Sequence, residues 1–400
     1  MKSFGIWYKK IESKSDDKEE VVQENINDEE GKCVETEMDV EVLEPEAALH
    51  VNFWSCEDIM EPKNGRKPFL DIGIKIENYK LIDELCFHCP FPLTKDNILD
   101  LSGKLEKKRN ACLIFNEDCE VETKDSYIIV KIGEDDKDND KVEEILLFPL
   151  EQVVKNVFEV QTAEGCEDAT NIVFKFFDFS EYISRIEALK KLNKIYIRFR
   201  IQNVKMMDYL LFDSEPMNKS FESAFTGTRI IDFKINEKRN INEKEMATLV
   251  IRKKDWLKIT KIHFLVMTPA SFDVEALSPY KMSCRELEQT VWDDYLNIKN
   301  PDKKKDHMLA YHWRKENDEK DKHAFSCLVK IKYSKARRWT IISYIIIAVI
   351  LGMAGSLGVS VIDKLVTNGM NSDFWSFLLW NLFVIAIGVI GVKIIGRKKD

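Results

Sequence analysis

Two long apolar runs near the C-terminus dominate the hydrophobic pattern of this chain. They cover residues 339–362 and 374–395, and a short polar turn separates them. At ~1.5 Å per residue, helices of these lengths reach about 36 and 33 Å, enough to cross a hydrocarbon core of roughly 30 Å. The pattern therefore predicts a two-helix transmembrane hairpin, with residues 336–400 as the membrane domain.

Upstream of these runs, short apolar segments that mostly alternate with polar residues indicate half-buried strands. We predict strands at residues 34–42, 49–54, 70–76, 111–115, 127–132, 145–148, 171–179, 195–201, 228–235, 247–252, 258–267 and 325–333. The charged residues 133–141 are typical of an exposed hairpin loop. Short strands separated by turn signals favour antiparallel sheets in a sandwich-like arrangement.

Helical spacing is present at two places. Ser180 is positioned to cap a helix, and Ser283 with Glu286 forms a capping-box pattern ahead of a helix that extends to about Ile298. The prediction is an α+β, β-rich cytosolic region followed by the hairpin. Its parts are a flexible acidic arm at residues 1–33, a β-rich subdomain at 34–164 and an α+β subdomain at 165–335, with the acidic stretch 161–170 as boundary or long surface loop.

The charge distribution bears on partners and on orientation. Acidic side chains are concentrated in residues 13–46 and the rest of the chain is nearly neutral, so no nucleic-acid partner is expected. Basic residues instead flank the two apolar runs: Lys330, Lys332, Lys335, Arg337, Arg338, Lys393, Arg397, Lys398 and Lys399. This distribution predicts that both termini are cytoplasmic and that the basic clusters contact lipid headgroups.

Small and polar residues within the two runs predict where the helices pack. The first run has small residues at every fourth position, and the second has one amide and two glycines: Ala348, Gly352, Ser356, Ser360, Asn381, Gly388 and Gly391. Small side chains allow close approach of helices in lipid, either within the hairpin or between chains. The amide of Asn381 is expected to bond the helix pair or to line an oligomeric pore.

No segment carries a catalytic signature. The chain lacks the Walker A, G-x-G-x-x-G, G-x-S-x-G and H-E-x-x-H patterns. Cys86 and Cys89 form a C-x-x-C without the second ligand pair that structural zinc requires, and His307 and His312 would not converge from one helical face. We therefore expect no metal or cofactor, and a non-enzymatic role is favoured.

The resulting functional prediction is a membrane-anchored cytosolic sensor or adaptor. It would bind a cytosolic ligand or protein and act through the hairpin, by recruiting partners or by self-association that perturbs the bilayer. This layout resembles that of prokaryotic membrane effectors with a soluble sensing part, such as those of anti-phage systems. Two alternatives stay open: a membrane-tethered enzyme acting on lipid or nucleotide, and a structural subunit that binds another protein by strand addition at residues 34–43.

Overall fold

The alternating apolar pattern is realised as three β-sheets. The computed structural model describes residues 2–11, 43–55, 68–124, 127–133, 142–150, 157–204, 209–214, 226–277, 279–296, 307–316, 324–334, 338–368, 375–380, 383 and 386. The chain divides into one unit of Met1–Phe212 with Arg229–Ile331 and a second unit of Asp213–Thr228 with Lys332–Asp400.

Strands outnumber helices throughout the described part of the chain. The strands are β1 (Gly5–Lys10), β2 (Glu46–Trp54), β3 (Phe69–Glu77), β4 (Ile82–Cys89), β5 (Ile98–Asp100), β6 (Cys119–Lys124), β7 (Tyr127–Ile132), β8 (Glu143–Phe148), β9 (Phe158–Ala163), β10 (Cys166–Lys175), β11 (Lys194–Ile201), β12 (Leu211–Ser214), β13 (Thr226–Ile235), β14 (Lys254–Trp256), β15 (Lys258–Pro269), β16 (Asp273–Ala276), β17 (Met282–Glu286), β18 (Met308–Glu316) and β19 (Phe325–Ser334). The α-helices are α1 (Lys108–Phe115), α2 (Phe176–Ser184), α3 (Glu243–Ile251), α4 (Gln289–Leu296) and α5 (Arg338–Asn368).

Sheet one has the strand order β14-β1-β4-β10-β9, and its neighbouring strands are antiparallel. Residues 5–10, which the sequence analysis assigned to the acidic arm, form β1 between β14 and β4. The stretch 161–170, which was placed at a subdomain boundary, forms the β9–β10 hairpin of the same sheet. The predicted strand at residues 34–42 lies outside the described residues.

Sheet two has the order β17-β18-β15-β2-β3-β11-β8-β7-β6, and β5 also pairs with β11. The prediction of antiparallel pairing is wrong for two neighbours, because β2 runs parallel to β15 and β8 runs parallel to β11. Parallel partners require long connections, and these pairs join segments that are far apart in sequence. Sequence periodicity within one strand carries no information on that choice of partner.

Sheet three, with the order β12-β13-β19-β16, completes a sandwich-like core. Phe87 of β4 packs against Phe199 of β11, with 5.6 Å between ring centroids. Phe233 of β13 stacks on Phe264 of β15 at 4.8 Å. One face of sheet two therefore packs on the apolar faces of sheets one and three, and its opposite face lies away from this core.

Two segments predicted as strands are helices. Residues 111–115 lie in α1, which ends where Asn116 adopts a left-handed conformation with φ 58°. Residues 247–252 belong largely to α3, whose N-cap Asn242 accepts a hydrogen bond from the backbone N–H of Lys244 at 2.8 Å. An N-cap and acidic residues in the first turn stabilise a helix, and here they outweigh the β-prone end of the segment.

The predicted starts of two helices are also wrong. The helix α2 begins at Phe176, four residues before the predicted cap Ser180, so it takes residues assigned to a strand. Ser283 and Glu286 lie in β17, where they pair with β18 instead of forming a capping box. The helix that follows, α4, ends at Leu296. In both cases a local capping pattern was overridden by strand pairing or by core packing.

One described helix has the length and composition to cross a membrane. It covers Tyr344–Thr367 within α5, and its most apolar stretch is not buried against the described residues. Residues 375–380, Phe383 and Ala386 are also helical, and the rest of the second predicted run lies outside the described residues. The structure thus supplies one membrane-spanning candidate, and the two-helix hairpin stays a prediction.

Candidate functional site

The face of sheet two that lies away from the sandwich core is unusually polar. Strand β11 shows the arrangement, because Ile195, Ile197, Phe199 and Ile201 belong to the main core cluster. The alternate residues Tyr196, Arg198 and Arg200 lie on the opposite face. These three side chains are nonetheless buried. We call this the polar face of sheet two.

Strand register aligns chemically active side chains in one row across the polar face. His263 of β15 pairs with Arg314 of β18 on one side and with His50 of β2 on the other. His50 pairs with Gly73 of β3, and Gly73 pairs with Arg198 of β11. Five neighbouring strands therefore place two histidines, two arginines and a glycine in the same row.

Gly73 provides the space in which its neighbours lie. A Cβ atom at this position would be 2.0 Å from the hydroxyl oxygen of Tyr196 and 2.9 Å from Nη1 of Arg198. Any side chain would overlap both groups. Because glycine has none, Tyr196 and Arg198 fold across the backbone of β3, where Nη1 of Arg198 donates to the Tyr196 hydroxyl at 2.9 Å.

A buried carboxylate organises one end of this face. Asp71 accepts two hydrogen bonds from Arg200, from Nε at 2.6 Å and from Nη2 at 3.0 Å. The same carboxylate accepts from Nε1 of Trp54 at 3.2 Å and from the hydroxyl of Tyr295 at 3.1 Å. Such bidentate pairing neutralises Arg200 with good geometry. The negative charge of Asp71 is thereby committed to Arg200.

Among the described residues, Arg198 has no carboxylate within ion-pair distance. Its Nε donates to the hydroxyl of Tyr295 at 2.9 Å and its Nη1 to Tyr196, both uncharged acceptors. Its Nη2 is buried and has no hydrogen-bond partner within the described part of the chain. Only 1% of the Arg198 surface is exposed. Asp71, which the Tyr295 hydroxyl links to Arg198, compensates part of this charge, and the unsatisfied donor at Nη2 is energetically expensive in a folded protein.

Three histidines continue the polar face toward β18. Nδ1 of His50 lies 3.1 Å from the Tyr196 hydroxyl, and Nδ1 of His263 lies 3.0 Å from Nε2 of His312. Burial lowers the pKa of His50 well below 6.5, and the nearby cationic side chains lower it further. The pKa of His312 is also lowered, by burial and then by Arg285, Arg314 and Lys261. His50 and His312 are therefore neutral at pH 7.

These side chains line a cleft of about 450 Å³, which is within the usual size range of small-molecule sites. The helices α1 and α4 contribute part of its wall through Leu113, Phe115 and Trp292. Among the described residues, the ionisable side chains of the lining are mostly basic: Lys75, Arg198, Lys261, Arg285, Arg314, His50, His263 and His312, beside the acidic Glu117 and Glu143. We call this volume the polar cleft.

Within the described ranges, no three His, Cys, Asp or Glu side chains are arranged to hold a metal ion. The C-x-x-C cysteines lie on β4, where both thiols are buried and burial raises the pKa of Cys86 and of Cys89. Buried thiols with a raised pKa are poor nucleophiles. The described polar residues of the cleft instead offer cationic and neutral hydrogen-bond donors, together with the His263–His312 pair.

The structure places only some of the predicted membrane-region residues. Ala348, Gly352 and Ser356 are exposed on α5, Ser360 is half-buried, and nothing described lies within 4 Å of a Cβ at Gly352. Lys330 of β19 pairs with Glu275 at 3.3 Å, Lys332 is exposed, and Arg338 is the first residue of α5. The others lie outside the described residues: Lys335, Arg337, Asn381, Gly388, Gly391, Lys393, Arg397, Lys398 and Lys399.

Sequence reasoning missed the polar cleft. His312 is the only histidine of the cleft that the sequence analysis considered, and it was tested as part of a helix. In the structure, His312 lies on β18 beside His263 of β15. One usable signal was the alternation of Tyr196, Arg198 and Arg200 with large apolar residues in β11. Those polar side chains are fully or nearly fully buried, and this distinguishes the polar face of sheet two from a face exposed to solvent.

Comparisons with known proteins provide no family. No protein-family model matches the chain, and no curated protein sequence matches it. Among solved structures, the chain is similar to the Fcho1 Mu homology domain of Danio rerio with a bound Eps15 peptide. The identity is 8%, the match covers 72% of this chain and 79% of that chain, and the TM-score is 0.15. At this TM-score, the similarity supports no conclusion about the fold or the function of this chain.

Proposed function

We propose that the protein is a membrane-anchored sensor whose β-rich unit binds a small ligand in the polar cleft. The observation that carries this proposal is the buried guanidinium of Arg198, which lines the cleft and whose Nη2 has no hydrogen-bond partner among the described residues. Folded proteins keep such costly groups where a binding partner satisfies them. Binding is favoured over catalysis because the cleft is lined by donors rather than by an activated nucleophile.

The membrane part of the proposal is a two-pass anchor. Its support is the apolar helix within α5 together with the second apolar run at residues 374–395. The basic residues that flank these runs favour cytoplasmic termini at both ends, which leaves the β-rich unit in the cytosol. The exposed small residues Ala348, Gly352 and Ser356 suit association with another transmembrane helix, in the same chain or in a neighbouring one.

The link between the two parts is short. Strand β19 ends at Ser334 and α5 begins at Arg338, so three residues join them in sequence. A linker of this length spans at most about 10 Å, which leaves little slack to absorb a displacement of β19. Ligand binding would then act on the anchor by clustering it or by recruiting a membrane partner, as a sensor or adaptor requires.

A test of the proposal uses the full-length chain in detergent and a library of neutral, cationic and anionic metabolites. We expect at least one compound to raise the melting temperature, because a ligand that binds only the folded state stabilises it. The matched variant is Ser283→Trp, which places a large side chain in the cleft from the exposed strand β17. Stabilisation that persists in this variant, or no stabilising compound at all, would remove the cleft as the ligand site.

A second candidate function has one specific observation in its favour. Nδ1 of His263 and Nε2 of His312 lie 3.0 Å apart within the cleft, and a histidine pair can transfer protons in an enzymatic reaction. A membrane-tethered enzyme acting on a nucleotide or lipid would use such a pair. Turnover of any library compound by the full-length chain, abolished in His312→Gln, would favour this second function over binding alone.

A further inference from the structure

We propose that Cys112 and Cys119 form a reversible redox pair, which a hydroperoxide oxidises to a disulfide. Cys112 lies in α1 and Cys119 is the first residue of β6, and both are free thiols in the structure. Neither residue belongs to the hydrogen-bond network of Arg198. The proposal therefore holds whichever ligand enters the polar cleft.

A tight turn brings the two thiols together. The backbone N–H of Asn116 ends α1 by donating to the carbonyl of Cys112 at 2.8 Å, and only two residues separate Asn116 from Cys119. Cys112 packs against the apolar cluster that contains Cys119. Its Sγ lies 3.9 Å from the carbonyl oxygen of Cys119, and Sγ of Cys119 lies 3.4 Å from the carbonyl oxygen of Glu117. The two thiols also interact with each other, so a disulfide needs only a local movement.

The two thiols differ in their access to an oxidant. Cys119 is only 1% exposed. Burial raises its pKa to about 12, and the neighbouring Cys112, Asp118 and Glu117 contribute to the rise. Cys112 is half-buried and lines an open groove of about 780 Å³ beside Lys108. Because oxidation of cysteine follows exposure and thiolate character, Cys112 is the thiol that meets the oxidant and Cys119 is the thiol that resolves the product.

Charged groups surround the sulfur of Cys112. Its Sγ lies 3.7 Å from Oδ1 of Asp118, and the same carboxylate oxygen lies 3.3 Å from Nζ of Lys108. Lys108 also interacts electrostatically with the Cys112 thiol. The carboxylate is therefore placed to accept the thiol proton, and the ammonium group is placed beside the sulfur that remains. Reactive cysteines are found in partly exposed sites beside such cations.

With hydrogen peroxide as the oxidant, the sulfur of Cys112 attacks one peroxide oxygen and the O–O bond breaks. The product is a sulfenic acid on Cys112, and the leaving hydroxide combines with the thiol proton to give water. The sulfur of Cys119 then attacks the sulfur of Cys112, the S–O bond breaks, and a second water leaves with the proton of Cys119. Two thiols are oxidised to one disulfide, and one peroxide is reduced to two waters.

The second step is the slower one, because a buried thiol with a raised pKa is a weak nucleophile. Its position in the same turn compensates in part, since a reaction between groups that the fold holds together has a high effective concentration. Closure of the disulfide is therefore expected to become faster as the pH rises and the thiolate fraction of Cys119 increases.

The pair is connected to one wall of the polar cleft. Leu113 and Phe115 follow Cys112 in α1 and line the cleft, where the ring of Phe115 lies 4.9 Å from that of Tyr196. A disulfide ties the last turn of α1 to β6 and thereby fixes these wall residues. In the cytosolic location proposed above, disulfides are usually transient and redox-sensing. Oxidation is thus a means of changing the cleft without a ligand.

The experiment treats the reduced full-length chain in detergent with hydrogen peroxide, alkylates the remaining thiols and digests the protein with trypsin. Residues 110–124 form a single tryptic peptide that contains both cysteines. We expect this peptide to become lighter by two hydrogen atoms, to resist alkylation and to recover on treatment with dithiothreitol. Closure is expected to be about tenfold faster at pH 8 than at pH 7.

Two variants separate the steps. Cys119→Ser is expected to keep a sulfenic acid on Cys112, which dimedone traps, and Cys112→Ser is expected to give no dimedone adduct on peptide 110–124. The exposed Cys284 of β17 is the internal control, and its peptide is expected to lose no hydrogen atoms. The peptide of the unaltered protein tests the proposal even where a variant fails to fold.

A peptide 110–124 that stays open to alkylation, gains only oxygen, or is linked to another peptide would overturn the redox pair. Hydrogen exchange tests its effect on the cleft wall, because the amides of residues 112–116 are expected to exchange at least threefold more slowly in the oxidised protein. Equal exchange in both forms would overturn the control of the wall. None of these measurements uses a cleft ligand, so their failure leaves the proposed function standing.

Discussion

The absence of a side chain at Gly73 determines where two much larger side chains lie. Tyr196 and Arg198 cross the backbone of β3 at this point, and their mutual hydrogen bond depends on the space. The sequence alone predicted strands at residues 70–76 and 195–201, which correspond to β3 and β11. It could not show that the opposite residues are buried, because alternation specifies only that the two faces differ.

Substitution of Gly73 by alanine is predicted to destabilise the β-rich unit. The new Cβ would overlap the Tyr196 hydroxyl, so the network must shift, and overpacking of this kind costs about 1–3 kcal/mol of the free energy of unfolding. Chemical denaturation of the full-length chain in detergent measures this. The matched control is Gly103→Ala in the 3₁₀ turn Ser102–Glu106, where the nearest atom is 4.0 Å from the added Cβ. Equal stability of the two variants would contradict the account of Gly73.

Helices cover the polar face of sheet two. The positions of these helices were the part of the fold that the sequence predicted least well. The short apolar run in α1 shows no period that separates helix from strand, and α3 owes its helical start to the cap at Asn242. The helix α4 contacts the site through Tyr295, whose hydroxyl joins Arg198 to Asp71. The sequence predicted a helix here, but not that its tyrosine completes a network with β3 and β11.

Tyr295→Phe is predicted to loosen α4 from the polar face. The change leaves Nε of Arg198 as a second unsatisfied donor and removes one donor to Asp71, and such a loss costs about 1–3 kcal/mol of the free energy of unfolding. Tyr79→Phe is the control, because the Tyr79 hydroxyl is buried and has no hydrogen-bond partner among the described residues. Removal of that hydroxyl should leave stability unchanged or slightly higher. An equal loss of unfolding free energy in both variants would show that the hydrogen bonds of the Tyr295 hydroxyl do not stabilise the protein.

On the scale of the whole molecule, hydropathy was sufficient to find one helix that is long and apolar enough to cross a membrane, and insufficient to establish a second one. The 24 residues Tyr344–Thr367 are helical and apolar, whereas most of the second run lies outside the described residues. The pairing of strands within sheet two could not be predicted from the sequence, for a different reason. Pairing of β2 with β15 depends on the tertiary fold, and strand patterns specify only which face is apolar.

The two-pass topology predicts opposite locations for two reporters. A reporter that is active only outside the cytoplasm should function when fused after Asn371, between the two apolar runs, and should be inactive when fused after Asp400. The physical reason is that, in the proposed topology, each apolar run crosses the bilayer once and the basic flanks are retained inside. Activity of both fusions would show that the second run does not cross, and it would reduce the anchor to a single pass.

The parallel pairing of β2 with β15 also has a consequence for biosynthesis. Glu46 and Lys258, at the start of this pair, are 212 residues apart in sequence. At translation rates of 5–20 residues per second, β2 therefore waits about 10 to 40 s for its neighbour after leaving the ribosome. During that interval one edge of an otherwise finished strand is open to pairing with other chains. Until β15 has been synthesised, this edge of β2 is therefore the place where we expect the nascent chain to associate with other chains.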